Sequence, residues 1–469
     1  MEYIPLLGFS GINSHVSPLI TAEGELFDTK NFTSRKVGVL TKTGDYLIKN
    51  AQIAANRNVL GGIDFFRADL ETHTHVVAVD GASTADIYRD ISGTWTAQSQ
   101  SLTAGNRVRF AYSPTLDTLF AVNYADATRS FNGSSWSTST NVTGAPKGKD
   151  IISFGRRIYI LNAVVSSVAY PTRAYRSSLV DTVTISWDTT NDWITFDDVI
   201  VGAGKNGDNL FVACANSIYL FTLGDEKYQV STKGCISRDS IASYKQWTFW
   251  ASYDGMYAFD GSQDIKISLP IQEYWDGLSL TNLQNIRAEI RGDYLYVYVG
   301  SLTEPDSFTN VLFEYDIDQN DWNKIELGVS CQNLHTYVTS TGRELFMGDN
   351  NGKIYQMFTS GGQNGDPFDS AVVTNWIYGS GRNTQDDFSE IWGYGNSLPN
   401  VHVSYKVDSD RNNWQDVEGS FNGDISLLKF KTRATRIKFM FTESSKGHLF
   451  DIEGLEVGYT PQYTKEEDQ

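Results

Sequence analysis

Short apolar runs, each five or six residues long and rich in Val, Ile, Leu, Phe and Tyr, recur along most of the chain. They are "HVVAV" from His75, "TLFAV" from Thr118, "RIYIL" from Arg157, "NLFVA" from Asn209, "WTFWA" from Trp247, "YLYVYV" from Tyr294 and "ELFMG" from Glu344. Runs of this length, built from β-branched and aromatic residues and bounded by Gly, Asn, Asp and Ser, predict buried strands rather than helices. Their starts fall about 35 to 55 residues apart, near the period of a four-stranded propeller blade. Three are followed by a second strand across a tight turn: "NSIYLF" from Asn216, "DGMYAF" from Asp254 and "NGKIYQMF" from Asn351. Each such pair reads as a hairpin. Seven inner-strand candidates predict six or seven blades.

A second repeat carries tryptophan. "GTW" (93–95), "SSW" (134–136), "NDW" (191–193 and 320–322) and "NNW" (412–414) each follow a strand-like run and a polar turn. A blade is a twisted sheet with two apolar faces that it cannot bury alone. Stacking neighbours around an axis buries both, and large aromatic rings fill the wedge between them. Core packing is therefore the expected role of these indoles.

Helical patterning is scarce. "SLPIQEYWDGL" (268–278) predicts a short helix or turn between blades. Composition changes after Phe358, where "TSGGQNGDPFDS" (359–370) reads as a linker. Residues 371–459 then alternate clearly in "VHVSYKV" from Val401, "SLLKFKT" from Ser426, "RIKFMF" from Arg436 and "LEVGY" from Leu455. That pattern predicts a small β-sandwich followed by a frayed polar tail. The expected architecture is all-β: an N-terminal arm or platform segment (1–60), a propeller (61–365) and a C-terminal sandwich (366–469). The arm is expected to pack on the sandwich, because domain ends often lie close together.

Composition narrows the function classes. The 469 residues are 40% hydrophobic and 13% aromatic, enough for a large core, and carry a net charge of −18 with pI near 4.8. Strong binding to nucleic acid by phosphate neutralisation is disfavoured, since that affinity comes from Lys and Arg. An acidic surface can still repel DNA and keep it sliding. The three cysteines, Cys214, Cys235 and Cys331, match no zinc or redox spacing and are expected to be reduced and buried. "MEYIPLLGFSG" lacks a signal-peptide pattern, and no run approaches eighteen apolar residues, so no membrane span and a cytoplasmic origin are expected.

Candidate chemistry is thin. "YDIDQNDWNKIEL" (315–327) has the alternate Asp/Asn spacing that opens a calcium loop, but Asp321 and Leu327 replace the required Gly and carboxylate. Asp316, Asp318 and Asn320 read instead as a hairpin turn. "DSDRNNWQD" (408–416) fails the same test at Asn413. His73 and His75 share one side of a strand, with no third ligand in view, and read as an exposed sheet face. His15, His335, His402 and His448 are scattered. Neither a Gly-x-Ser-x-Gly elbow nor an H-E-x-x-H helix is present. "SYDGMY" (252–257) begins like a sialidase Asp-box but lacks its closing Trp, so a blade hairpin is expected. No catalytic, cofactor or metal residue is singled out. "LLKFKTRATRIK" (427–438) places Lys429, Lys431 and Arg433 on one side of a strand, suited to a phosphate-binding face, to an acidic neighbour subunit or to discouraging edge pairing; the net charge argues against the first.

"SRKVGVLTKTGDY" (34–46) is a basic-flanked hairpin or extended arm, with Gly38 and Gly44 at turns. With its upstream neighbours, in "ELFDTKNFTSRKVGVLTKTGDY" (25–46), it resembles the N-terminal segment of tail nozzle proteins of short-tailed phages. These are also called tail accessory or packaged-DNA stabilisation proteins. The resemblance rests on the pair Asn31–Phe32 followed by a turn with Gly38, Leu40, Lys42 and Gly44. This chain departs from the pattern where Arg-Pro commonly precedes the last Gly, having Thr43 alone. "IKISLPIQEYWDGL…RAEIRGDYLYVYVG…NVLFEYDIDQNDWNKI" (265–325) is similar to the same family. Together these stretches span about a quarter of the chain.

The resemblance implies a propeller with a β-platform, assembled as a ring, usually a hexamer, at the end of the tail. It implies a virion structural protein without enzymatic activity or cofactor. Such a ring extends the DNA channel from portal and adaptor, retains packaged DNA until ejection without binding it specifically, and carries fibre, spike or needle proteins. Two other readings stay open: a carbohydrate- or receptor-binding propeller, and a propeller glycoside hydrolase using a pair of placed carboxylates.

Overall fold

A computed structural model describes residues 1–13, 24–67, 71–180, 184–302, 308–359, 362–409, 411–445 and 450–462. The chain is nearly all-β and contains seven propeller blades. The blades cover residues 59–103, 109–137, 147–195, 200–231, 242–266, 287–326 and 333–357. The first strands of consecutive blades contact one another around a closed circuit, so they form the innermost ring about the axis.

The seven apolar runs seen in the sequence are the second strands of the seven blades, one place out from the axis. There both faces are covered by neighbouring blades, so nearly every position is apolar and buried. The innermost strands are less apolar, and those of blades 1, 2, 6 and 7 line a polar cavity on the axis. Their sequences, such as "RAEIR" (Arg287–Arg291) and "KGKDIISF" (Lys147–Phe154), carry charged residues.

The Trp trios open the fourth strands of blades 1, 2, 3 and 6. Trp322 is fully buried, and its Nε1 donates to Ile267 O at 2.8 Å, tying blade 6 to blade 5. Trp95, Trp136 and Trp193 are only half-buried. Trp414 does not belong to a blade; it precedes a platform strand.

Two short helices, Gln272–Asp276 and Leu280–Gln284, connect blades 5 and 6 within and just beyond the predicted stretch, and bury Tyr274 and Trp275.

The propeller is closed by a strand from the other end of the chain. β1 (Glu2–Leu7), β2 (Leu26–Lys30), β3 (Phe32–Lys36), β4 (Val39–Lys42) and β5 (Tyr46–Ile48) precede the first blade. β5 pairs antiparallel with Ile354–Met357 and completes blade 7 as its outer strand. Residues 1–60 are therefore divided between two bodies.

The remaining N-terminal strands join six C-terminal ones in a single ten-stranded sheet. The sheet ends at β2 and β3, which are consecutive in the chain and joined through Asn31 alone. Asn31 lies at φ 60°, a left-handed conformation that Asn tolerates better than most residues. The sheet thus nearly closes on itself around Phe32, Leu40, Phe388, Ile391, Val403, Phe439, Phe441 and Val457. The expected sandwich is this one curled sheet, and β1–β4 are part of it. The 359–370 segment is held down where it is described: Gln363 Nε2 donates to Glu326 O at 2.8 Å, and Tyr46 N donates to Gly362 O at 3.1 Å. Residues 360 and 361, and most of the polar tail, lie outside the described residues.

Candidate functional site: the propeller–platform junction and the axial cavity

The outer strand of blade 6, Asp321–Glu326, would be an open edge in an isolated propeller. β2 and β3 cover it, which is why Trp322, Asn323, Lys324 and Ile325 are all buried. Asn31 sits at the centre. Its backbone N–H donates to Lys324 O (2.9 Å), its Oδ1 accepts from Glu326 N (2.8 Å) and its Nδ2 donates to Asp369 O (2.6 Å). One side chain therefore ties the platform strand, the blade and the returning chain together. Gly44 packs beside it at φ 101°; a Cβ there would lie 2.9 Å from Asn31 Oδ1 and 3.0 Å from Ile325 Cγ2. Gly38, at φ 77°, turns β3 into β4 against the backbone of Gly8.

Charge is buried on both sides of the kink. Lys324 is fully buried and pairs with Asp28 at 2.7 Å; Tyr274 Oη donates to the same carboxylate at 2.7 Å. Past the kink, Arg35 pairs with the fully buried Glu314 and donates to Tyr296 Oη at 2.8 Å; Thr33 Oγ1 also donates to Glu314. Burial and the nearby Glu314 charge push the Tyr296 phenol above its ordinary range. Lys42, also buried, pairs with Glu443 and donates to Ser445 O at 2.9 Å. Phe32 packs edge-on against Phe450 at 5.6 Å, and Leu40 is fully buried.

The structure thus gathers Asn31, Phe32, Leu40, Lys42 and Gly44, with Gly38 at the adjoining turn, in and around one junction. Lys429, Lys431 and Arg433 lie elsewhere, exposed along Gln415–Ala434, which pairs only with Asp386–Val407 among the described residues. Arg433 makes a two-pronged pair with Asp387 (2.7 and 3.0 Å), and Lys429 stands opposite Glu390.

The 315–327 stretch forms the expected turn: Asp316 Oδ1 accepts from the N–H groups of Asp318 (3.0 Å) and Gln319 (2.9 Å), and Asn320 lies at φ 60°. Asp408 likewise caps a turn by accepting from Thr435 N at 2.8 Å, while Asp410 lies outside the described residues. "SYDGMY" forms the expected blade hairpin. The three cysteines are free and buried, with the Cys235 and Cys331 thiols pushed up to about 12 by burial. Among the described residues, no group of three His, Cys, Asp or Glu is placed to hold a metal ion, and no helix is long and apolar enough to cross a membrane.

His75 corrects the expectation of an exposed face. It is fully buried in the seam between blades 1 and 7, because ring closure covers that side of the sheet. Its Nε2 lies 2.5 Å from His335 Nε2; its Nδ1 lies 3.1 Å from Lys49 Nζ; His335 Nδ1 lies 2.7 Å from Asn333 Oδ1. One assignment satisfies all three contacts. Lys49 donates to His75, His75 donates to His335, and His335 donates to the amide oxygen, with both rings neutral. Burial, with Lys49 nearby, lowers the His335 imidazole to about 3 and holds His75 well below the usual range. His73 instead pairs with Asp64 at 2.8 Å.

The axis of the propeller carries a site that the sequence reading missed. A polar cavity of about 390 Å³ is lined by the inner strands of blades 1, 2, 6 and 7 and by the single-turn helix Arg238–Ser240. Arg109 pairs with Asp239, and Arg238 with the buried Asp150 at 2.6 Å. Asp150 also accepts from Ala203 N at 2.8 Å. Arg107 donates to Gln332 O, and Arg287 donates to the same oxygen at 2.7 Å. Side chains from different blades thus meet in one charged network. The only sequence signal was charge on the innermost strands, and nothing local shows that these seven strands converge.

A seven-bladed propeller joined to a nearly closed ten-stranded sheet is the class that this geometry defines. No family model and no curated protein matches the sequence. A solved structure described as "YCF48 bound to D1 peptide" is similar over 66% of this chain and 94% of its own length, with 10% identity and a TM-score of 0.38.

Proposed function

We propose that the chain is a structural subunit of a phage tail, a nozzle or accessory protein. Its copies form a cyclic ring, a hexamer by the family resemblance, that extends the DNA channel below portal and adaptor. The observation that supports this reading most is the junction. The two stretches that resemble the nozzle family, 25–46 and 265–325, are distant in sequence, yet they pack on each other through Asn31–Lys324, Asp28–Lys324 and Arg35–Glu314. A resemblance confined to two contacting segments is what a shared propeller–platform hinge would produce. The net charge of −18 fits a lumen that DNA passes without adhering. The exposed Lys429, Lys431 and Arg433 would face an acidic neighbouring subunit or a fibre, spike or needle protein.

Native mass spectrometry and electron microscopy of the purified protein test the ring. Immunolabelling of virions tests the location. The expected result is a closed ring and a label at the tail tip. A protein that stays monomeric with its tail partners and never enters virions refutes the proposal.

A further inference from the structure

The axial cavity holds more cationic groups than its carboxylates neutralise. Five guanidinium groups line it or stand directly behind it: Arg107, Arg109, Arg238, Arg287 and Arg343. Asp239 serves Arg109 and reaches Arg107 at 3.8 Å, while Asp150 serves Arg238. The other two donate their hydrogen bonds to neutral acceptors, although Asp239 also faces Arg287, and Asp64 and Glu289 face Arg343. Arg287 donates to Gln332 O (2.7 Å), Asn285 O (2.8 Å) and Gln332 Oε1 (3.4 Å). Arg343 donates to Thr336 Oγ1 at 3.3 Å. Arg109 Nε is buried with no acceptor among the described residues.

Two acidic groups on the wall redress this only in part. Asp64 is hydrogen-bonded to His73 and also faces Arg343, so it offsets some of that charge. Burial drives the Glu289 carboxyl up to about 7 even though Arg343 and Arg238 face it, so near neutral pH it is partly protonated and able to donate. His335, on the next strand, is neutral. The result is a cationic pocket at the centre of a strongly acidic chain.

We propose that this cavity binds a small oxyanion, a phosphate or carboxylate group held by Arg287 and Arg343. Guanidinium forks match the two oxygens of such groups, and burial strengthens the charge-assisted bond that Arg287 would make, while Arg343 reaches in from an exposed position. A volume of about 390 Å³ admits phosphate or a short dicarboxylate with its water. Among the described residues Phe110 is the sole Phe, Tyr or Trp on the wall, so little of the stacking surface a sugar would use is present there. This inference is independent of the tail reading, since ring formation and virion incorporation do not depend on it.

Isothermal titration calorimetry of the full chain tests it, with inorganic phosphate and, separately, succinate, at pH 7 and constant ionic strength set by sodium chloride. One saturable site per chain is expected for at least one probe. Arg343→Gln, at an exposed position, should keep the parent unfolding midpoint and weaken binding about tenfold, the equivalent of one lost charge-assisted hydrogen bond. Arg287→Gln should weaken it at least as much where it folds. Binding of phosphate alone identifies a phosphate ligand, and of succinate alone a carboxylate. Failure of both probes to bind beyond the chloride background overturns the proposal. So does parent-like affinity in Arg343→Gln.

Discussion

Removing Arg35 would leave a carboxylate stranded in the junction, and the cost can be worked from its contacts. Glu314 is fully buried and accepts from Arg35 Nε and Nη2 and from Thr33 Oγ1. In Arg35→Met the threonine and the Tyr296 phenol remain as partners, and the paired guanidinium is gone. The variant also loses the bond to Tyr296 Oη and the guanidinium contacts with the Phe358 and Tyr294 rings, at 4.7 and 5.2 Å. Breaking a buried pair from one side costs about 3 to 5 kcal/mol, because an uncompensated charge stays behind. Glu314→Gln should cost less, about 1 to 3 kcal/mol, since Arg35 keeps 26% of its side-chain surface exposed and can turn toward water. The double variant should be more stable than the sum of the singles predicts, by about 1 to 3 kcal/mol. Urea unfolding followed by tryptophan fluorescence reads this cycle directly. A loss under 1 kcal/mol in Arg35→Met, or strict additivity of the two changes, would refute the claim that this pair fastens platform to propeller.

Three further outcomes are expected. His335 has a folded pKa of about 3 against an ordinary 6.5, so the stability of its neutral form is present above 6.5 and lost as pH falls toward 3. At pH 5 this amounts to about 2 kcal/mol, so His335→Gln should lose that much less than the parent between pH 7.5 and 5; parallel urea midpoints would exclude it. Glu289 has the opposite sign: its folded pKa of about 7 means stability is lost as pH rises through 7, so Glu289→Gln should be stabilising at pH 8, by about 3 kcal/mol at most, with no gain at pH 4.5. Gly44→Ala, at φ 101° and against Asn31 and Ile325, should cost about 1 to 3 kcal/mol by thermal melting, and an unchanged midpoint would mean the junction can yield.

The class of fold was legible because propeller blades write themselves locally. A second strand buried on both faces must be apolar throughout, and a hairpin needs Gly or Asn at its turn, so "NLFVA" followed by "NSIYLF" announces a blade from a dozen residues. The Asp316–Asn320 turn was legible for the same reason, since an Asp side chain capping two nearby N–H groups is a local event. His75 shows the limit. Its sequence neighbours place it on a strand, and whether that side meets water or His335, 260 positions away, depends on how the ring closes.

By itself, then, the sequence determined an all-β propeller with a strand-rich C-terminal region and a charge unsuited to clasping nucleic acid. Tertiary structure alone decided that β5 closes the ring and that Asn31 turns one chain segment into two ends of a curled sheet. It alone decided that arginines from separate blades converge on the axis. The physical reason is range: turn chemistry and strand burial act over a few residues and leave a periodic trace. Closure, edge covering and charge convergence join residues tens to hundreds of positions apart, and their pattern exists only once the backbone has brought them together.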